Sequence, residues 1–227
     1  MGHYDAADAL MVFKIRRKSY SREGDIFLMS EKEMINHYKA IISESRELEE
    51  ALYDACDFSF ADMYVVKNGE DWLDCGKSDY KIEVFGNDAS GGVYVLLNDR
   101  YVGFISSEGE TGIVAKNVKD FFNIICYCKN LFDYFIFYKL DNVKEFVDMV
   151  NTQNEKVEEK HKALLNQFLQ DNEMETEPEK VYSMFVSAVI VEPEFIIEPT
   201  LPGYDRLDSL FAFNKDNYLK ELRKKHF

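Results

Sequence analysis

The sequence predicts an α+β protein: an antiparallel β-meander flanked by helices, with a mainly helical C-terminal extension. Three observations predict it. An apolar stripe of helical period opens near residue 30, four runs of period two follow from residue 80, and the links between those runs are short and rich in Gly, Asn, Asp and Ser. Short links imply antiparallel neighbours. The chain then divides into an N-terminal segment 1–29, a core domain 30–139 and an extension 140–227 packed on that core.

The first helix is signalled by Ser30-Glu31-Lys32-Glu33, which carries the serine and glutamate of a capping box, with Met29 and Met34 at the staple positions around it. Met34, Ile35, Tyr38, Ile41, Ile42, Leu48 and Leu52 recur at helical spacing to about Asp54, while Glu44, Glu47, Glu49 and Glu50 fall mostly off that stripe. One amphipathic helix with an acidic outer face is expected. After a less regular stretch that holds the only tryptophan, Trp72, strands are expected at residues 80–85, 93–97, 101–105 and 113–115. The links at 86–92, 98–100 and 106–112 are built from residues that tolerate tight or left-handed turns.

Asn117 can cap the next helix, with Asp120 in its first turn and Phe121, Phe122, Ile124 and Ile125 forming an apolar face that covers one side of the sheet. Residues 118–138 are interrupted by Asp120, Asn123, Lys129, Asn130 and Asp133, so they read as core helix and not as a span of about 20 apolar residues. The aromatic run Phe132, Tyr134, Phe135, Phe137 and Tyr138 is read as core. Residues 156–170 suit a helix, 171–178 an acidic linker, and 181–191 either helix or strand. Pro193, Pro199, Pro202 and Gly203 mark irregular chain before a short basic helix at 214–225.

Charge restricts the function further. The 227 residues include 27 basic and 42 acidic side chains, a net charge of −15, which excludes a nucleic-acid-binding surface spread over the whole molecule. Residues 30–79 carry a net −8 and residues 173–200 a net −6, so the acidity is concentrated in two blocks. Two readings of such blocks stand side by side: a solvated surface that keeps the protein soluble, or a surface suited to a basic partner. The basic cluster Arg16-Arg17-Lys18 follows the apolar run 10–13, the reverse of a signal peptide's order, and no small-residue cleavage site follows. A cytoplasmic protein with no membrane association is expected. Four cysteines, Cys56, Cys75, Cys126 and Cys128, are too sparse for a disulfide scaffold and are expected to be reduced and buried.

Motifs for chemistry fail one by one. Gly76-Lys77-Ser78 ends like a phosphate-binding loop, but the glycine required five residues earlier is Asp71, whose charge repels phosphate. Glu158-Glu159-Lys160 has a nuclease-like spacing within a charged helical run, where it reads as surface charge. His3, His37, His161 and His226 offer no i, i+4 pair for a metal. No Gly-x-Ser-x-Gly elbow or dinucleotide glycine pattern is found, and Cys126 and Cys128 sit where burial suppresses the thiolate. The reading is therefore non-catalytic, with no metal ligand and no cofactor. A carboxylate-only site among 42 acids remains the weaker alternative.

The stretch Phe85-Gly86-Asn87-Asp88-Ala89-Ser90-Gly91-Gly92-Val93-Tyr94-Val95-Leu96, followed by Val102-Gly103-Phe104-Ile105 and by Asp120-Phe121-Phe122, resembles the SUKH superfamily. That family has a strand ending in a Gly-containing turn, a Gly-x-Tyr-x-Leu strand, an apolar strand, a polar turn and a helix with a Phe-Phe or Phe-Leu pair. The resemblance covers roughly residues 30–130. The chain departs from many members in having Asn68-Gly69 with no Leu-Pro before it.

The resemblance implies a binding protein: many bacterial members are immunity proteins that neutralise a cognate polymorphic toxin, often a nuclease, and others are regulatory or scaffolding proteins. No catalytic residues come with it. A toxin with a basic surface is thus the expected partner, met by Glu44, Glu47 and Glu50 on the first helix and by Asp71, Asp74 and Asp79 after it. Trp72, set among acids, is the aromatic expected at that interface.

Overall fold

The computed structural model describes residues 29–63, 65, 76–129, 142–200, 209–210 and 215–226. Expectations that fall on Asp71, Trp72, Asp74, Cys75, the aromatic run at 132–138 and the segment 1–28 lie outside these residues. The architecture is α+β, as the periodicity predicts.

Five antiparallel strands form the sheet, in the order β1 (Ser59–Phe60), β3 (Ile82–Asn87), β4 (Val93–Leu97), β5 (Tyr101–Ile105), β6 (Thr111–Ala115). The register pairs Ile82 with Leu97, Val93 with Ile105 and Val102 with Ala115. Alternation along each strand sorts the side chains into two layers. Tyr94 and Phe104 face one side, with ring centroids 4.7 Å apart. Val95, Leu97, Ile105 and Ile113 face the other. Asn98 and Asp99 both have positive φ (54° and 50°) and close the β4–β5 hairpin, with the Arg100 amide donating to the Leu97 carbonyl at 3.1 Å. The 88–92 turn is organised by Asp88, whose Oδ1 accepts the amides of Ser90 (3.0 Å) and Gly92 (2.6 Å).

Within 31–128, three helices are described over their whole length. The Asp99 carboxylate accepts the Lys32 amide in the first turn of α1 (Glu31–Ser43), and Glu31 Oε2 accepts the Val118 amide at the start of α3 (Val118–Cys128) at 2.6 Å. Asn117 caps α3, accepting the Asp120 amide at 2.7 Å. Phe121 lies 5.0 Å from Tyr94 and 5.6 Å from Phe85, so α3 covers one face of the sheet as expected, and Phe122 links that layer to Tyr38 of α1 at 4.7 Å.

The single helix expected to Asp54 is two. Ser45 adopts extended backbone and its Oγ accepts the Leu48 amide at 3.2 Å, which starts α2 (Arg46–Cys56) as a separate helix. The core helix expected over 118–138 has its C-cap at Lys129, φ 62°, and residues 130–138 lie outside the described ones. The helix expected at 156–170 is α5 (Glu159–Asp171), and extended Val157 separates it from α4 (Val143–Lys156), a helix the sequence reading did not expect. The ambiguous run at 181–191 resolves as α6 (Pro178–Val189): Pro178 opens it, and Val181, Tyr182, Phe185, Val186 and Val189 form a buried stripe of helical period. The basic terminal helix is α7 (Lys215–His226).

The region after residue 142 completes the core. Helix α5 packs on α2 and α3, and α6 packs on β6. Phe195 and Ile197, from the irregular chain after α6, join Ala188 against Tyr80, Val95, Leu97, Ile105 and Ile113 on the second face of the sheet. Polar anchors hold that chain down: the Tyr80 hydroxyl donates to the Pro193 carbonyl at 2.5 Å and the Thr111 hydroxyl to the Phe195 carbonyl at 2.8 Å. A two-residue ladder, β2 (Gly76–Lys77) with β7 (Glu198–Pro199), extends the contact. Glycine at 103 leaves room for Phe195, whose ring carbons would lie 3.1 Å from any Cβ there.

Candidate partner-binding face

Among the described residues of the 30–79 block, helix α2 carries a markedly acidic surface. Its inner side buries Leu48, Ala51, Leu52, Ala55 and Cys56, and its outer side exposes Arg46, Glu47, Glu49, Glu50, Tyr53 and Asp54. Four carboxylates against one guanidinium give these six positions a net −3. Arg46 reaches Glu50 at 2.9 Å, but with side-chain exposures of 86% and 50% the pair is solvated and contributes little. The remaining carboxylates therefore keep most of their field.

Glu47 and Glu50 lie on the outer side of α2, whereas Glu44, expected on a helix face with them, is exposed in the joint between α1 and α2. Asp79 is also exposed, yet it precedes β3, whereas Asp57 at the close of α2 accepts the Ala89 amide beyond the other end of that strand. Six strand residues separate those two ends. Asp79 thus extends from the opposite end of the sheet, and Asp71, Trp72 and Asp74 are outside the described residues.

Tyr53 is the aromatic that the sequence reading missed. It is 52% exposed, and lies one helical turn from Glu49 and Glu50 on the outer face. Its signal was available: Tyr53 follows Leu52, a buried position of the stripe, and a 100° step carries it onto the acidic side. An exposed tyrosine ringed by carboxylates has the make-up of an interface anchor, a rigid amphipathic ring within a charged rim.

A second surface has the opposite character. Between α1 and the β1–β3 edge lies a cavity of about 420 Å³ lined by Lys32, Lys39, Phe60 and Glu83 among others. Glu83 is held by Lys32 at 2.7 Å and Lys81 at 2.5 Å, and those hydrogen bonds lower its pKa below the usual carboxylate range. Lys32 is thereby engaged with Glu83, while Lys39 lies over the Phe60 ring, 5.6 Å from its centroid.

The chemistry of the remaining reactive groups is quiet. Cys56, Cys126 and Cys128 are free and buried, and burial pushes the thiols of Cys126 and Cys128 well up, against thiolate formation. His161 is buried with Nε2 3.8 Å from Asp54, bridging α5 to α2. Among the described residues no group of three or more His, Cys, Asp or Glu is placed to hold a metal ion, and no helix is long and apolar enough to cross a membrane. Compared with known proteins, the chain matches no family model, and no curated protein or solved structure matches it significantly.

Proposed function

We propose that this is a non-catalytic immunity protein that neutralises a cognate bacterial toxin in the cytoplasm, covering a basic surface of that toxin with the acidic outer face of α2. The observation that carries the reading is that face: a net −3 over six exposed positions with Tyr53 among them. Acidic charge steers association with a positive cleft and competes there with phosphates, so a nuclease is the toxin class that the charge favours. The SUKH-like pattern of Gly86, Gly92, Tyr94 and Phe121-Phe122 lends support from the sequence.

Tagged protein expressed at native level in its own host tests this, with the bound proteins identified by mass spectrometry at low and at high salt. One stoichiometric basic partner, released by salt and losing its toxic activity in the complex, is the expected result. Failure to protect toxin-expressing cells, or a partner with no toxic activity, would sink the immunity reading and leave a regulatory or scaffolding role.

A further inference from the structure

The structure assigns a small-molecule oxyanion site to the cavity at the C-terminal end of α3, independent of the α2 face. Lys129 is 2% exposed, a depth at which a charged side chain requires compensation. Its ammonium donates to the Cys126 carbonyl, and among the described residues it meets no carboxylate. The Cys126 carbonyl can satisfy one of the three donors of an ammonium, and no second partner is found among the described residues. The helix end contributes only a partial negative charge, which offsets part of a full buried one. The backbone at Lys129 is itself held in a region that a side chain disfavours, with φ 62° and ψ −149°.

A cavity of about 490 Å³ adjoins this lysine. Lys162 lines it from α5, and Asn151, Asn154 and Asn166 add amide donors and acceptors. Lys162 is already paired with the exposed Glu159 at 2.7 Å, which leaves Lys129 as the primary anion anchor. Glu155 on the same wall accepts hydrogen bonds and repels a second negative group, so the ligand is a polar molecule with a single oxyanion and hydroxyl or amino groups beside it. The oxyanion is a carboxylate or a phosphate; the two share the chemistry that a lysine and amides recognise.

Thermal melting and calorimetry of the full chain with inorganic phosphate, and separately with acetate, against sodium chloride at matched ionic strength, test the site and tell the two anions apart. Expected is a saturable rise in Tm of several degrees with one of them. Lys129→Met removes a buried, partly compensated charge, and should fold and lose that response. Asn166→Asp, on the exposed rim, should weaken binding tenfold or more with the fold intact. A rise equal to that in chloride, no saturable response at tens of millimolar, or a full response in either variant would overturn the assignment.

Discussion

The side-chain amide of Asn123 is matched to the backbone of Glu175 at both ends. Its Nδ2 donates to the Glu175 carbonyl at 2.7 Å, and its Oδ1 accepts the Glu175 amide at 2.7 Å. Asn123 is buried in α3, and Glu175 lies in the connection between α5 and α6, so one residue fixes the C-terminal helices to the helical layer over the sheet. Asn123→Leu keeps the volume and strips two backbone groups of their partners. Urea unfolding should show a loss of about 2–4 kcal/mol; a loss within experimental error would mean that the pairing is incidental.

Glu31 gives stability a pH dependence of unusual sign for a carboxylate. Burial raises its pKa above the usual range, a shift opposed by the Val118 amide and aided by Asp99 and Asp120. The folded protein therefore binds this proton more tightly than the unfolded chain does. The contribution is present below the unfolded value of about 4.3 and is lost as pH rises through the folded value. Glu31→Gln keeps an acceptor for Val118 and removes the titration, so the wild type should lose stability relative to the variant between mildly acidic and neutral pH. A constant difference across that range in urea titrations would refute the assignment.

Gly86 marks a close approach within the sheet. A Cβ there would lie 2.5 Å from Cε2 of Phe58 and 3.1 Å from the Ser59 carbonyl oxygen. Phe58 cannot yield, because its ring packs against Phe60, Phe85, Tyr94, Phe121 and Phe122 at 5.1 to 6.4 Å. Gly86→Ala should cost about 1–3 kcal/mol by overpacking. Gly91, with φ 95° and only Ser107 Cβ near a Cβ placed there, at an ordinary 3.9 Å, should cost about 1 kcal/mol on the same change. Thermal melts of the two variants side by side decide it, and the reverse order would count against the packing argument.

On α2 the effects should fall on binding and not on folding. Tyr53→Ala changes an exposed ring and should leave stability within about 0.5 kcal/mol. If the outer face meets the partner, the same change should weaken the complex by about 2 kcal/mol. Glu47→Lys with Glu50→Lys should slow association at low salt and converge with wild type at high salt. Unaltered stopped-flow association rates for the charge-reversed protein would remove this face from the interface.

The four meander strands β3 to β6 were legible because their side chains alternate and their turns are built from Asn, Asp and Gly: the strands expected at 93–97 and 101–105 are β4 and β5 residue for residue. Helix junctions were harder. Ser45 continues a helical stripe that runs through Ile42 and Leu48, and only its extended backbone reveals a cap. Gly86, expected in a link, lies inside β3 beside a bulge, which periodicity does not register. Phe195 sits in a proline-marked stretch that reads as irregular, and irregular it is, yet it is core; burial without secondary structure leaves no period to detect. On the acidic face, Glu47 and Glu50 followed from their offset from the apolar stripe. Tyr53 did not, because an aromatic in a helix is most readily placed inside.

That Phe195 and Ile197 close the second face of the sheet also sets a schedule. The ribosome finishes β6 at residue 115 and reaches Phe195 about 80 residues later, which at 5–20 residues per second is about 4–16 seconds of synthesis. Through that interval a layer of valine, leucine and isoleucine side chains faces the cell uncovered. The nascent chain is thus exposed to chaperones and to its own neighbours on a polysome for longer than the length of its meander suggests.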